Sequence, residues 1–210
     1  MRPRTRGQAD EQIRLAAYGH IINRYLRYVL IRCTGYTNDK SQVQRIAIYA
    51  LATACLLSDK LSRLGQLGSL VEMMVKIVAE DPTPDEPEDV QDDGCDREPV
   101  FVLDERMCEV AGSINALDQL SRELLVLHHI EGLEIVTLAD AHGRSTEEIR
   151  AALVEGERQF FELLRGMSSW DEGAKADVHA LLAALAGCLD LPWAESLGAF
   201  ALRYVAAWTG

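Results

Sequence analysis

The chain has 210 residues, 48% of them hydrophobic, with a net charge of −12 and an isoelectric point near 4.8. That length suits one or two small folded domains, and that apolar content excludes global disorder. The acidic balance excludes whole-chain attraction to nucleic acid, because phosphates are neutralised by clustered Lys and Arg. The longest nearly apolar run, Ile46 to Leu57, is 12 residues, short of the roughly 20 that cross a bilayer. No apolar stretch follows the basic start MRPRTRGQADEQ, so no signal peptide is expected. The five cysteines, Cys33, Cys55, Cys95, Cys108 and Cys188, are odd in number and scattered, which suits a reducing cytoplasm with mostly buried thiols.

The charge is divided along the chain. Residues 1–80 carry twelve Lys/Arg against six Asp/Glu, a balance of +6, and the other 130 residues carry nine against 27, a balance of −18. The turning point is DPTPDEPEDVQDDGCDRE, residues 81–98, with nine acids, three prolines and one Arg. Such a segment cannot bury enough apolar surface to offset its ordering entropy, so it reads as a tether.

In chain order every periodic signal is helical. Leu15, Ile22, Leu26, Val29 and Leu30 stripe a first helix ended by Thr34-Gly35. A second is expected from about Ser41 to Leu64, apolar nearly all round at its centre and so buried. Gly65 and Gly68 break the pattern before a third helix from Ser69 to Glu80, which Asp81-Pro82 stops. Beyond the tether, Met107, Val110, Ile114 and Leu117 share one face. Leu120, Leu124, Leu127 and Ile130 continue on a helix from about Ser121, ended by Gly132. A short helix from Ile135 to His142 closes at Gly143. Ser145 and Glu148 have the spacing of a capping box, opening a helix that runs to about Leu164. The tail reads as a helical hairpin. Val178, Leu181, Leu182, Leu185 and Leu189 stripe its first helix, and Pro192 opens the second. The fold class expected is all-α, divided as 8–80, a linker at 81–105, 106–168 and a hairpin at 169–210. The hairpin is expected to fold back on 106–168.

A helix, Glu131-Gly132-Leu133, a short helix, Gly143-Arg144-Ser145 and a longer helix have the spacing of a helix-turn-helix. Residues 116–164 resemble region 4 of bacterial RNA polymerase sigma factors of the extracytoplasmic-function type. The matching positions are Ala116-Leu117, Leu120, Arg122, Leu124-Leu125, Leu127, Gly132-Leu133, Leu138-Ala139, Gly143, Ile149 and Leu153. Residues 18–80, through YLRYVLIRCTGYTNDKSQVQRIAIYALATA, more faintly resemble region 2 of that family. The resemblance implies a transcription role, with RNA polymerase core or a regulatory protein as partner. The departures fall on working positions. The polymerase-binding helix of the family carries an acidic pair around a Gln, where this chain has Gln42, Val43, Gln44, Arg45 and Ile46. The promoter-opening stretch here, LGSLVEMMVKIVAED, has no aromatic residue and one Lys, Lys76, although flipped bases are held by stacking and cations. The recognition helix has Arg150, but Ala152, Glu155 and Glu157 stand where basic residues are common.

Candidate nucleic-acid or polymerase contacts are Arg24, Arg27, Arg32, Arg45, Arg144, Arg150 and Arg158. The alternative for the last three is a solvated helix face with pairs such as Glu147–Arg150, worth a few tenths of a kcal/mol. For the first four it is a plain exposed face. Trp193, Phe200, Tyr204 and Trp208 share one helix face and are either core or a partner-docking surface. No metal site is expected: His128 and His129 are adjacent and point about 100° apart on a helix, and Cys95 and Cys108 are too far apart for a zinc knuckle. No cofactor, no small-molecule substrate, no membrane contact and no enzyme activity are expected, since no nucleophile–base pair, metal motif or phosphate loop is present. The leading reading is a sigma-factor-like transcription regulator acting on RNA polymerase or promoter DNA, with DNA contact weak. The runner-up is a protein-interaction module that kept the fold and lost DNA binding.

Overall fold

In the computed structural model, residues 6–37, 39–58, 65–80, 103–165, 170–189 and 192–209 are described. Among them every element is helical, so the chain is all-α. In chain order α1 is Arg6–Cys33, α2 Lys40–Ser58, α3 Gly65–Glu80, α4 Glu105–Ala116, α5 Gln119–Leu125, α6 Ile135–His142, α7 Thr146–Arg165, α8 Glu172–Leu189 and α9 Pro192–Thr209. The tether at 81–98, Cys95 and residues 59–64 of the expected second helix lie outside the described residues.

Local chemistry explains several helix ends. The Asp39 carboxylate accepts from the Gln42 N–H (2.9 Å) before α2. Asp104 caps α4 through the Met107 N–H. Asp118 caps α5 through the N–H groups of Leu120 and Ser121, so α5 begins at Gln119, two residues before the expected start at Ser121. Gly143 closes α6 with φ 64°, the left-handed conformation that glycine adopts most readily. The capping box is formed in both directions: the Glu148 N–H donates to Ser145 Oγ (3.2 Å) and the Ser145 N–H donates to the Glu148 carboxylate (2.8 Å).

Two helices depart from the expected pattern. Gly68 lies inside α3 and does not break it. Its missing side chain makes room for Glu123, whose carboxylate atoms would stand 2.0–2.2 Å from an added Cβ. The helix after Asp118 also does not stay regular. From Val126 to Ile130 it widens into a π-helical turn, closed by the Glu131 N–H to the Val126 carbonyl (3.0 Å). Such turns displace side chains from the i, i+4 register and are frequent at functional sites.

One core cluster joins the early and late helices. The buried faces of α1, α2 and α3 pack together, and α5, α6 and α7 form the helix-turn-helix with α4 against α7. The hairpin divides its contacts. Val178, Leu181, Leu182, Leu185 and Leu189 bury the inner face of α8, which meets α4, α7 and the π-helical turn. By contrast α9 lies on α1 and α2, with Tyr204 edge-on to Tyr49 at 5.0 Å between centroids. The expectation that the whole hairpin folds onto residues 106–168 therefore holds for α8 and not for α9. The apolar stripe on α9 says that it must be covered, not by which neighbour.

Candidate functional site

Three polar clusters stand out, and two of them contain charged residues that sequence singles out. The first is a seam where α1 and α3 meet α4 and α5. Arg32 on α1 reaches Glu72 on α3 through two nitrogens, Nε to Oε2 at 2.9 Å and Nη2 to Oε1 at 2.6 Å, the paired geometry a guanidinium fork favours. Arg122 on α5 adds a third contact to Glu72 at 3.3 Å, and the Tyr28 hydroxyl donates to the same carboxylate at 2.7 Å. Asn115 on α4 completes the seam: its Oδ1 accepts from Arg32 (2.8 Å), and its amide donates to the Ile31 carbonyl (2.9 Å). The Arg122 Nη1 donates to the Asn115 and Leu117 carbonyls, which ties the end of α4 to α5. Beside this seam Glu123 is buried and accepts from the Tyr25 hydroxyl at 3.0 Å, with His142 Nε2 4.0 Å away. Burial raises the Glu123 carboxyl to about 7, overcoming the bond from Tyr25, and the Glu72 charge adds to the rise. Burial lowers the His142 imidazole, helped by the Arg144 charge. A cavity of about 10 Å³ lies beside Arg24, Tyr25, Glu123 and His142, room for one water at most.

The second cluster is the outer face of the helix-turn-helix. Arg144, Ser145, Glu147, Glu148, Arg150, Ala151, Val154 and Glu155 are exposed. Arg158 is held within its own helix: it donates to both Glu155 oxygens, at 2.9 and 2.6 Å, and to Glu162. The hydrogen bonds from Arg158 and Gln159 hold Glu155 down at about 2, so it is ionised at any ordinary pH. Two free-standing guanidinium groups, on Arg144 and Arg150, thus share this face with Glu147, Glu148 and Glu155.

The third cluster is one that sequence reading did not find. Glu157 stands where a basic DNA-contacting residue is expected, yet it is only 5% exposed and faces inward. Its Oε1 lies 2.8 Å from His129 Nε2 on the π-helical turn and 3.3 Å from His179 Nε2 on α8. Burial pushes the Glu157 carboxyl up, but the hydrogen bonds and charges of His129 and His179 outweigh it and hold the group below its ordinary value. The His128 ring packs edge-on against His129 at 4.8 Å, with its Nδ1 2.7 Å from the Leu133 carbonyl. A sequence signal existed: Glu157 lies four residues after Leu153 and eight after Ile149, on the apolar stripe of α7. A carboxylate on such a stripe needs an inward partner. The two histidines could not be matched to it from sequence, being 28 and 22 residues away on other elements.

The remaining expected residues are dispersed. Arg27 pairs with Glu131 at 3.0 Å, and Arg24 and Arg45 are half-buried. Tyr204 is buried, while Phe200 is half-buried with the Arg203 guanidinium 5.3 Å from its ring centre. The side chains of Trp193 and Trp208 lie outside the described residues. Cys33 and Cys55 are buried, Cys188 is half-buried and Cys108 is exposed. Among the described residues no helix is long and apolar enough to cross a membrane. No protein-family model, curated protein or solved structure matches the chain.

Proposed function

We propose that this chain is a sigma-factor-like regulator of transcription, acting on RNA polymerase or promoter DNA, whose own contact with DNA is weak. The observation that carries the reading is the helix-turn-helix of α6 and α7, with its glycine-closed first helix and reciprocally capped second helix. That is the geometry that presents a helix N-terminus to a major groove. The weakness follows from charge. Each phosphate contact requires a free cation, and the exposed face sets Arg144 and Arg150 among three carboxylates, with Arg158 occupied by Glu155 and Glu162.

The alternative is an interaction module that keeps this fold without binding DNA. One observation favours it: the arginines of α1 that would face an acidic partner are engaged within the fold, Arg32 by Glu72 and Arg27 by Glu131. The discriminating experiment is size-exclusion chromatography of the full chain with purified bacterial RNA polymerase core. Co-elution supports the first reading. Separate elution, with or without promoter DNA, sinks it and leaves the module.

A further inference from the structure

We propose that His129, Glu157 and His179 form a binding site for one zinc-type divalent cation, which clamps the tail helix α8 to the helix-turn-helix. Three side chains from three different elements converge here: the π-helical turn, α7 and α8. The candidate donor atoms, one ring nitrogen from each histidine and one carboxylate oxygen, all lie within 4.8 Å of one another. Zinc is bound by imidazole nitrogen at about 2.0–2.1 Å and by carboxylate oxygen at about 2.0–2.2 Å, so donors around a tetrahedral ion stand roughly 3.3 Å apart. Of the two distances to Glu157, 3.3 Å from His179 matches that spacing and 2.8 Å from His129 is shorter than it. The separation still to be closed is between the two imidazoles. His179 can close it by rotation, because its side chain is 53% exposed whereas those of His129 and Glu157 are 13% and 7% exposed.

The donor set selects the ion. Two imidazoles and one carboxylate suit zinc and its transition-metal neighbours, whereas calcium and magnesium take oxygen donors. Three protein donors with one side open to solvent leave a position for water. Lys175, on the first turn of α8, is directed to Glu172 at 2.6 Å, so it does not neutralise Glu157 by direct contact. His128 is not a donor. Its ring, held at the Leu133 carbonyl, packs against His129 and restrains that ring's orientation. The π-helical turn accounts for the convergence, since it displaces His129 from the regular helical register.

The site holds or fails whether or not the chain engages polymerase. The test is a titration of chelator-stripped full chain with Zn²⁺ by calorimetry, repeated with Co²⁺ by visible absorption. One ion per chain is expected, with a rise in melting temperature. His179→Ala is the primary variant because its exposed side chain can be removed without disturbing the core; His129→Ala is the second. Each should weaken Zn²⁺ affinity by at least about tenfold, while His20→Ala, an exposed imidazole on α1, leaves it unchanged. Cobalt bound here should show a nitrogen- and oxygen-ligand spectrum without thiolate charge transfer. Wild-type affinity in both histidine variants, or a thiolate signature that persists in them, would overturn the proposal and leave the cluster as hydrogen bonds to a buried carboxylate.

Discussion

The seam between α1, α3, α4 and α5 and the outer face of α7 both carry arginine and glutamate, but they use them differently. In the seam Glu72 is shared by Arg32, Arg122 and Tyr28, all largely withdrawn from water. On α7 the ladder Glu155–Arg158–Glu162 lies along one helix in solvent, where each pair is worth a fraction of a kcal/mol. The seam fixes how the early helices meet the late ones, because a buried charge without its partner is costly. The α7 ladder fixes little, but it uses up the cation that a DNA-reading helix would present. The same residue types thus hold the fold in one place and blunt a surface in the other.

The largest effect should come from breaking the seam. Glu72→Ala leaves two guanidinium groups facing each other in a poorly hydrated space and should cost about 3–5 kcal/mol, the range for removing one partner of a buried pair. Glu155→Ala, its counterpart on α7, should cost less than about 1 kcal/mol. Denaturant unfolding of both variants checks the contrast, and equal losses would erase it.

Next in size is Gly68→Ala. On an open helix this change would stabilise by up to about 1 kcal/mol. Here the new methyl meets the Glu123 carboxylate, and a net loss of about 1–3 kcal/mol is expected. The Gly68→Ala, Glu123→Ala double variant should recover most of the clash, so a double-mutant cycle that proves additive would disprove the contact.

Glu123 also gives the seam a pH dependence. Its folded-state value of about 7 lies above the ordinary 4.5, so between those values the folded chain holds a proton that the unfolded chain has lost. The stability contributed by the neutral carboxyl is complete below about 4.5 and is lost as pH rises through about 7. Glu123→Gln keeps the acceptor for Tyr25 and stays neutral. Its melting temperature relative to wild type should therefore climb between about pH 5 and pH 8. A constant difference would mean that Glu123 is not held neutral. Smaller again is Ser145→Ala, which removes half of the capping box and should cost about 1 kcal/mol.

How much of this was legible in sequence follows from what periodicity encodes. The helix-turn-helix was, because Gly143, Ser145 and Glu148 act on their immediate neighbours and their spacing is the mechanism. The helical character of α1 to α3 was also readable from apolar stripes. The internal use of Arg32 was not read, although Arg32 lies four residues after Tyr28 and one after Ile31, on a face that carries the core. An arginine there signals a buried acidic partner, but which acid depends on how α3 lies across α1. Gly68 has the look of a helix breaker in sequence because its close neighbour, Glu123, is 55 residues further along the chain. The placement of α9 on α1 and α2, and the meeting of His129, Glu157 and His179, are likewise products of packing between elements distant in sequence.

The most direct test of the charge argument is the affinity of the full chain for duplex DNA, followed by fluorescence anisotropy across a salt series. At about 0.15 M salt, binding no tighter than the 10⁻⁴ to 10⁻⁶ M of nonspecific contact is expected, with a shallow salt slope. Glu147→Arg with Glu155→Arg, both on the exposed face, should strengthen binding and steepen that slope. Nanomolar binding by the unaltered chain at that salt would contradict the account.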